Sequence, residues 1–349
     1  MVSINKKGEL ISMAGLRVLS LCDGMSCGQI ALTELGIKFD KYFASEIKDI
    51  AIKATNHNFP NTIQIGDVNK ISYSNGVLHT ENGDYEVKID IVMFGSPCQS
   101  FSRAMNTKGR VGLDDKSRSG LFLECYRILK EISPKYFFME NVIMKKEDEE
   151  LISEMMGVKP IRINSSLVSA QLRDRLYWTN IPNVTIPKDK SIRLNDILDN
   201  GYSDKEKARA LLVSDSRPLT SPNKMLHRYK GSGFTTLIFK SKQHYEDCNN
   251  EFTVLLNGEK STAKFWDNHS SPIFDGVRYF NKYERARLQT VPEKYVECMS
   301  EKEAADLLGD GWTIEVIKHI FKGLESNKSC NAINETNFEL QSIKECGAI

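Results

Sequence analysis

Cys98, Glu140, Arg173 and Arg175 each stand at the edge of an apolar run, where a reactive side chain can be held firmly and still reach a ligand. Cys98 lies in Phe94-Gly95-Ser96-Pro97-Cys98-Gln99, just past the apolar run Ile89-Asp-Ile-Val-Met-Phe94. A thiolate in a tight, proline-bearing turn is a good nucleophile once nearby cations or a helix N-terminus lower its pKa; for any single thiol the alternative is a buried structural cysteine. Glu140 ends a second apolar run, Tyr136-Phe-Phe-Met, and burial there would let its carboxyl hold or deliver a proton. In Gln171-Leu172-Arg173-Asp174-Arg175 the two arginines alternate with period two, so an extended backbone puts both guanidiniums on one face. That face suits a carboxylate, a phosphate or an electron-rich ring oxygen, and either segment alone would serve equally well in an ordinary salt bridge.

A second set of residues points to a ligand. Cys22-Asp23-Gly24-Met25-Ser26-Cys27-Gly28 follows the run Arg17-Val-Leu-Ser-Leu21, and its glycines allow a sharp turn that brings backbone amides close to a bound molecule before the next helix. Such turns also occur for purely structural reasons in α/β proteins. Glu46, at the end of the next run, could accept both hydroxyls of a ribose, and Asp67 in Gly66-Asp67-Val68 could face an adenine amine. Either acid could instead cap a helix, but the three in series point to an adenosine-containing ligand. Arg103 to Arg118 carries five basic and two acidic residues and reads as a mobile, phosphate-facing lid. Between Arg217 and Lys242 lie Lys224, Arg228, Lys230 and Lys240 with no acid among them, a stretch that could meet phosphates or simply face water.

The elements that must position these residues show in the hydrophobic pattern. Short apolar runs at 17–21, 42–46, 89–94, 136–140 and 175–179 alternate with helical stretches near 26–35, 47–56, 119–132 and 146–156. This rhythm predicts an α/β sheet, largely parallel. It breaks from about 185 to 275, with Pro187, Pro218, Pro222 and Pro272 and no strong period, which predicts an irregular second lobe. It recovers at 281–290 and at 312–324, where Ile314, Ile317, Ile320, Phe321 and Leu324 share one helical face. The expected organisation is a catalytic and cofactor-binding domain at 1–182, a recognition lobe at 183–275, a return to the first domain at 276–324 and a polar tail at 325–349.

The 349 residues are 40% hydrophobic and 27% charged, with a net charge of +1, which argues against a uniformly basic coat. No run is long and apolar enough for a membrane span, and the basic N-terminus does not lead into a secretory core, so the cytosol is the expected compartment. The eight cysteines form neither a CxxC pair nor a zinc-spaced cluster, so no metal and no disulfide framework are expected.

In this order and at these separations the segments resemble the motif series of the cytosine-5 DNA methyltransferases. Pro97-Cys98-Gln99 resembles the nucleophile motif, Glu140-Asn141-Val142 the acidic motif and Gln171 to Arg175 the Gln-x-Arg-x-Arg motif. Arg278 to Gln289 resembles the helix that organises the recognition lobe, and Leu308-Gly309-Asp310-Gly311-Trp312 the last motif. The likeness covers about 16–182 and 276–324, and is shared with bacterial and phage enzymes and with animal de novo methyltransferase catalytic domains. Two motifs depart from the usual pattern: Cys22 to Gly28 stands where the family usually has an aromatic residue before its acidic or small residue and Gly-x-Gly spacing, and Gly309-Asp310-Gly311 stands where many members have Gly-Asn-Ser or Gly-Asn-Ala.

The resemblance implies a Rossmann-like S-adenosylmethionine-dependent methyltransferase fold with a small irregular target-recognition lobe. It implies that S-adenosyl-L-methionine is the cofactor and S-adenosyl-L-homocysteine the product, and that the methyl acceptor is C5 of a cytosine flipped out of duplex DNA. Cys98 would add to C6, Glu140 would hold N3 and the exocyclic amine, and Arg173 and Arg175 would grip the O2 edge. Cofactor contacts are implied at Asp23, Gly24, Met25, Ser26 and Cys27, at Glu46 and Ile47, and at Asp67 and Val68. Others are implied at Ser96, Pro97 and Leu121, and at Asp310 and Trp312. DNA contacts are expected from Gln99, Ser102 and Arg103 and, in the basic stretch, from Arg228 and Lys230. The alternatives are the same chemistry on transfer RNA and a silent DNA-binding homologue, although the latter would typically lack Cys98 or Glu140. A nicotinamide oxidoreductase would need a Gly-x-Gly-x-x-Gly turn, which residues 23–28 do not form.

Overall fold

The computed structural model describes residues 2–4, 10–12, 15–96, 120–212, 222–232 and 235–324. Pro97, Cys98, Gln99, Ser102, the whole of the expected lid from Arg103 to Arg118, and the tail from 325 onward lie outside the described residues.

A seven-stranded sheet forms the centre. Its strands are β1 (Leu16–Leu21), β2 (Phe39–Ser45), β3 (Ile63–Gln64), β4 (Ile91–Phe94), β5 (Tyr136–Val142), β6 (Ile161–Asn164) and β7 (Asp174–Thr179). They lie in the order β6-β7-β5-β4-β1-β2-β3. The pairings β5 with β4, β4 with β1, β1 with β2 and β2 with β3 are parallel, whereas β7 runs antiparallel to both β5 and β6. Because β7 alone is reversed, its first residues reach the edge where the other strands end.

The sheet is buried on both faces, which is why its strands read as continuous apolar runs. Alternate residues serve opposite layers. Val18, Ile91, Met93 and Phe138 pack with the helices α1 (Cys27–Glu34) and α2 (Asp49–Asn58) and with the returning chain. Leu19, Leu21, Val92, Phe94 and Met139 pack with α3 (Gly120–Ile132) and α4 (Lys146–Met156). The first layer is completed by α8 (Lys282–Leu288), α9 (Glu301–Asp310) and α10 (residues 314–324), in which Ile314, Ile317, Ile320 and Phe321 are fully buried. Asn281 and Glu284 form a capping box at the start of α8, which fixes where that helix begins.

The stretch expected to be irregular is better ordered than its composition suggests. It contains α5 (Pro222–His227), α6 (Lys242–Leu256), which is the longest helix among the described residues, and α7 (Ala263–Asn268). Tyr229, Phe239, Phe252, Phe265, Trp266 and Phe274 build a separate core there. In α6 the residues Tyr245, Cys248, Phe252, Leu255 and Leu256 follow helical spacing. The preceding segment behaves differently: Leu194, Ala208 and Leu211 pack into the first layer, and Gln171–Leu172 pairs with Ala208–Arg209. A small antiparallel sheet, Ser72–Ser74, Val77–Thr80 and Gly83–Glu86, sits between β3 and β4.

Candidate functional site

The loops that follow β1, β2, β3 and β4 meet along one edge of the sheet, joined by the start of β7 and by the 309–312 segment. After β1 the backbone turns through left-handed conformations at Cys22 (φ 53°), Gly24 (φ 59°) and Ser26 (φ 54°). Nothing lies within 4 Å of where a Gly24 Cβ would stand, so glycine is needed here for its φ, and the turn opens onto free space. Asp23 is buried beneath the turn. Ser26 Oγ donates to its Oδ2, and Tyr42 OH donates to its Oδ1 at 2.8 Å. Burial pushes the Asp23 pKa up to about 6, although these hydroxyl donors pull it down.

The two further acids hold backbone. Glu46 accepts from Gly24 N (2.7 Å), Ile47 N (2.8 Å) and Lys48 N (2.9 Å), so it fastens the first turn to the start of α2. A carboxylate has about four lone-pair positions, which leaves room for a ligand hydroxyl. Asp67 caps the turn after β3, accepting from Asn69 N (3.0 Å) and Asn69 Nδ2 (2.8 Å), while its own amide donates to Glu81 Oε1 (2.9 Å) on the small sheet. Val68 is buried, Leu121 is half-buried in the first turn of α3, and Ile47 stands 69% exposed beside Glu46. An apolar side chain so exposed, next to an acid that could take a ribose, suits the face of a base.

The returning chain closes this pocket from the other side. Trp312 N donates to Cys27 Sγ at 3.3 Å, and the indole packs edge-on against Phe138 with centroids 5.0 Å apart. Burial pushes the Cys27 thiol up to about 12, so this cysteine is a core residue and an inert acceptor. A Cβ on Gly95 would lie 2.7 Å from Trp312 Nε1, so the turn leading to Pro97 needs a glycine in order to pack on the indole. Tyr295 OH donates to Met25 O (2.7 Å).

The Gln-x-Arg-x-Arg segment divides its work. Arg175 Nε meets Glu140 Oε1 at 2.8 Å, with side chains only 15% and 11% exposed. Arg173, expected beside it on the substrate edge, instead donates from its buried side chain to Gly309 O (3.2 Å) and Gly311 O (2.9 Å). The period-two spacing of Arg173 and Arg175 predicts both side chains on one face. Arg173 lies just before β7, however, and the carbonyls at the end of α9 capture it. Gln289 Nε2 also donates to Gly311 O (3.1 Å) and to Leu308 O (2.6 Å), and Gln171 Nε2 donates to Leu288 O (3.1 Å). Asn141 Nδ2 reaches Ser96 Oγ (3.4 Å), linking the end of β5 to the loop that leads to Cys98. Sequence reasoning singled out neither Gln289 nor Asn141 as a site residue. A buried amide between two elements is visible as a polar residue in an apolar run, but its partner is not.

In the second lobe Lys240 and Lys242 are exposed, whereas Lys230 is engaged within the lobe. Lys230 Nζ donates to Asn249 Oδ1 (2.8 Å) and stands 4.6 Å from the Phe252 ring centroid, and burial lowers its pKa. Tyr229 is buried in the lobe core, and Arg228 is half-buried. Among the described residues no group of three or more His, Cys, Asp or Glu is placed to hold a metal, and no helix is long and apolar enough to cross a membrane.

The family model for C-5 cytosine-specific DNA methylase matches residues 16–159 and 161–326. The type II methyltransferase M1.ScrFI of Lactococcus lactis subsp. cremoris is 27% identical over 304 residues, covering 81% of this chain and 71% of that protein. The orphan methyltransferase M.Rho11sI of Bacillus phage rho11s is 30% identical over 205 residues, covering 54% of this chain but only 38% of its own length. In structure, a DNMT2 variant from Spodoptera frugiperda superposes with a TM-score of 0.58 at 19% identity, over 89% of this chain and 99% of the other, which shows a shared fold. With the family model matched along nearly the whole described catalytic unit, the chain belongs to the C-5 cytosine-specific DNA methylase family.

Proposed function

We propose that this protein transfers a methyl group from S-adenosyl-L-methionine to C5 of a cytosine in duplex DNA. The observation that carries the reading is the Glu140–Arg175 pair, 2.8 Å apart and nearly buried at the edge of the sheet where the strands deliver their loops. Such a pair suits a polar heterocycle: the carboxyl takes N3 and the exocyclic amine, while the remaining guanidinium donors reach the O2 edge.

Cytosine C5 is a poor nucleophile while the ring is aromatic. Addition of the Cys98 thiolate to C6 forms an S–C6 bond and makes C5 enamine-like; a proton passed from the Glu140 carboxyl to N3 and the Arg175 guanidinium neutralise the negative charge that builds on the ring, and the proton returns to Glu140 when the thiolate leaves. When bound, the cofactor supplies an electrophilic methyl group on a sulfonium. After transfer, the C5 proton leaves to solvent or a base, the S–C6 bond breaks, and the thiolate and the aromatic ring are restored. A stacked base cannot enter such a site, so the target is flipped out at a cost of about a few kcal/mol. Asp23, Glu46 and the 309–312 segment fit the cofactor: a buried acid beneath a glycine turn, a strand-end acid with spare lone pairs, and an indole wall. Membership of the C-5 cytosine-specific DNA methylase family favours DNA as the acceptor.

The test is transfer of labelled methyl to duplex DNA and to transfer RNA, for the wild type and Cys98→Ala, followed by bisulfite sequencing. Label on cytosine C5 of DNA that vanishes in Cys98→Ala is the expected result. Transfer to RNA alone, or none by a folded protein that binds cofactor, would overturn the reading.

A further inference from the structure

The 309–312 segment is held firmly from the protein side. Arg173 and Gln289 both donate to Gly311 O, Arg173 also to Gly309 O, and Cys27 Sγ accepts from Trp312 N. On its outer side Asp310 carries a carboxylate that none of these contacts uses. Facing it is the 46–48 segment, where Glu46 fastens the first turn and Lys48 begins α2. Lys48 Nζ meets Asp310 Oδ2 at 2.7 Å, and the two side chains are 57% and 52% exposed. The contact joins residues 262 positions apart in the chain, tying the 46–48 segment, whose Glu46 holds Gly24 N, to the 309–312 segment, which packs on Met25 and Cys27 of the same turn.

We propose that the Lys48–Asp310 ion pair is a strap across the mouth of the cofactor site that sets how fast the nucleoside product leaves, with Lys48 and Asp310 as positioning residues. The inference rests on the proposed function, because it takes the adenosyl ligand to lie between these two segments. Each segment is anchored on its inner side, so only the outer contact has to break for the mouth to widen. An exposed ion pair is weak and screened by salt, which suits a fastening that must open in every catalytic cycle. Release should therefore quicken as ionic strength rises, even though S-adenosyl-L-homocysteine is itself a zwitterion with no net charge.

The experiment is the dissociation rate of labelled S-adenosyl-L-homocysteine, chased with unlabelled compound, at about 0.02 and about 0.5 M NaCl, the latter giving a Debye length near that of a direct contact. The proteins are the wild type, Lys48→Ala, Asp310→Asn, the double variant Lys48→Ala/Asp310→Asn and the reversed pair Lys48→Asp/Asp310→Lys. At low salt each single variant should release product roughly two- to fivefold faster, the range of an exposed ion pair, and the double variant no faster than either single. High salt should bring the wild type up to the variants and leave the variants unchanged, and the reversed pair should regain slow release. Multiplicative effects in the double variant, or a wild-type rate indifferent to salt, would overturn the strap. Failure of the folded wild type to bind the compound would overturn the cofactor reading itself, and the strap with it.

Discussion

Arg173 and Arg175 are two positions apart and chemically identical, yet the structure gives them separate tasks, and replacing each by methionine should separate two kinds of loss. Arg173→Met removes the donors to Gly309 O and Gly311 O while filling similar space. Gly311 O keeps Gln289, but Gly309 O loses this donor in a buried setting. Hydrogen bonds from a charged group contribute about 1.5–3 kcal/mol each, so with partial compensation the loss is about 3–4 kcal/mol. For a chain of 349 residues that lowers Tm by roughly 4–6 °C. If the 309–312 segment lines the cofactor site, the affinity for S-adenosyl-L-homocysteine should fall at least about tenfold, equivalent to about 1.4 kcal/mol. Arg175→Met instead leaves Glu140 without its guanidinium, so methyl transfer should drop at least about a hundredfold, with cofactor affinity within about twofold of wild type. Titration calorimetry with the product, thermal melting and single-turnover transfer give the three readouts. Wild-type Tm and cofactor affinity in Arg173→Met, or equal loss of affinity in both variants, would refute the division of labour.

Other perturbations probe the same edge. Gly95→Ala drives a methyl group to 2.7 Å from Trp312 Nε1, so the indole must shift at a cost of about 1–3 kcal/mol, read as lower Tm and altered tryptophan fluorescence. The folded-state pKa of Asp23 is raised from 3.8 to about 6 by burial, so its contribution to stability is fully present below pH 3.8 and is lost as the pH rises through about 6. Urea unfolding from pH 4 to 8 should show Asp23→Asn gaining on the wild type across that window, to at most about 3 kcal/mol, and then running parallel to it. Cys27, with its thiol pushed up to about 12, should resist iodoacetamide at pH 8 until the protein unfolds, as peptide mapping would show.

The parts of the fold legible in the sequence were those with a strong period and closed caps. The expected helix at 146–156 matches α4 to the residue, and the face of Ile314, Ile317, Ile320, Phe321 and Leu324 is buried as its spacing requires. The small sheet at 72–86 escaped notice because its strands are three or four residues long and largely polar. Helix α6 escaped because Asn, Asp and Glu between its apolar residues mask the period, which only the aromatic partners of the second lobe make effective. Within the site, the family resemblance assigned Glu140 and Arg175 to one substrate, and the fold pairs them. The sequence could not show that Arg173 turns to carbonyls at the end of α9, or that Lys230 folds back onto Phe252, because both partners lie far away or in a different element. Cys98 and its loop lie outside the described residues, so the nucleophile stands on its motif alone.

The contact between Trp312 N and Cys27 Sγ spans 285 positions, and that between Tyr295 OH and Met25 O spans 270. The pocket edge is therefore shared between the first segment of the sheet to be synthesised and nearly the last described helix. A nascent chain can form β1, β2 and α1 early, but it has no completed pocket until the segment around Trp312 has left the ribosome. Contacts of such long range close slowly, since the ordering cost precedes their reward. Synthesis halted anywhere short of that point would yield a chain with the acids and the glycine turn in place but without the contacts from Tyr295 and Trp312 that close over them, so under the proposed function incomplete copies should transfer no methyl group.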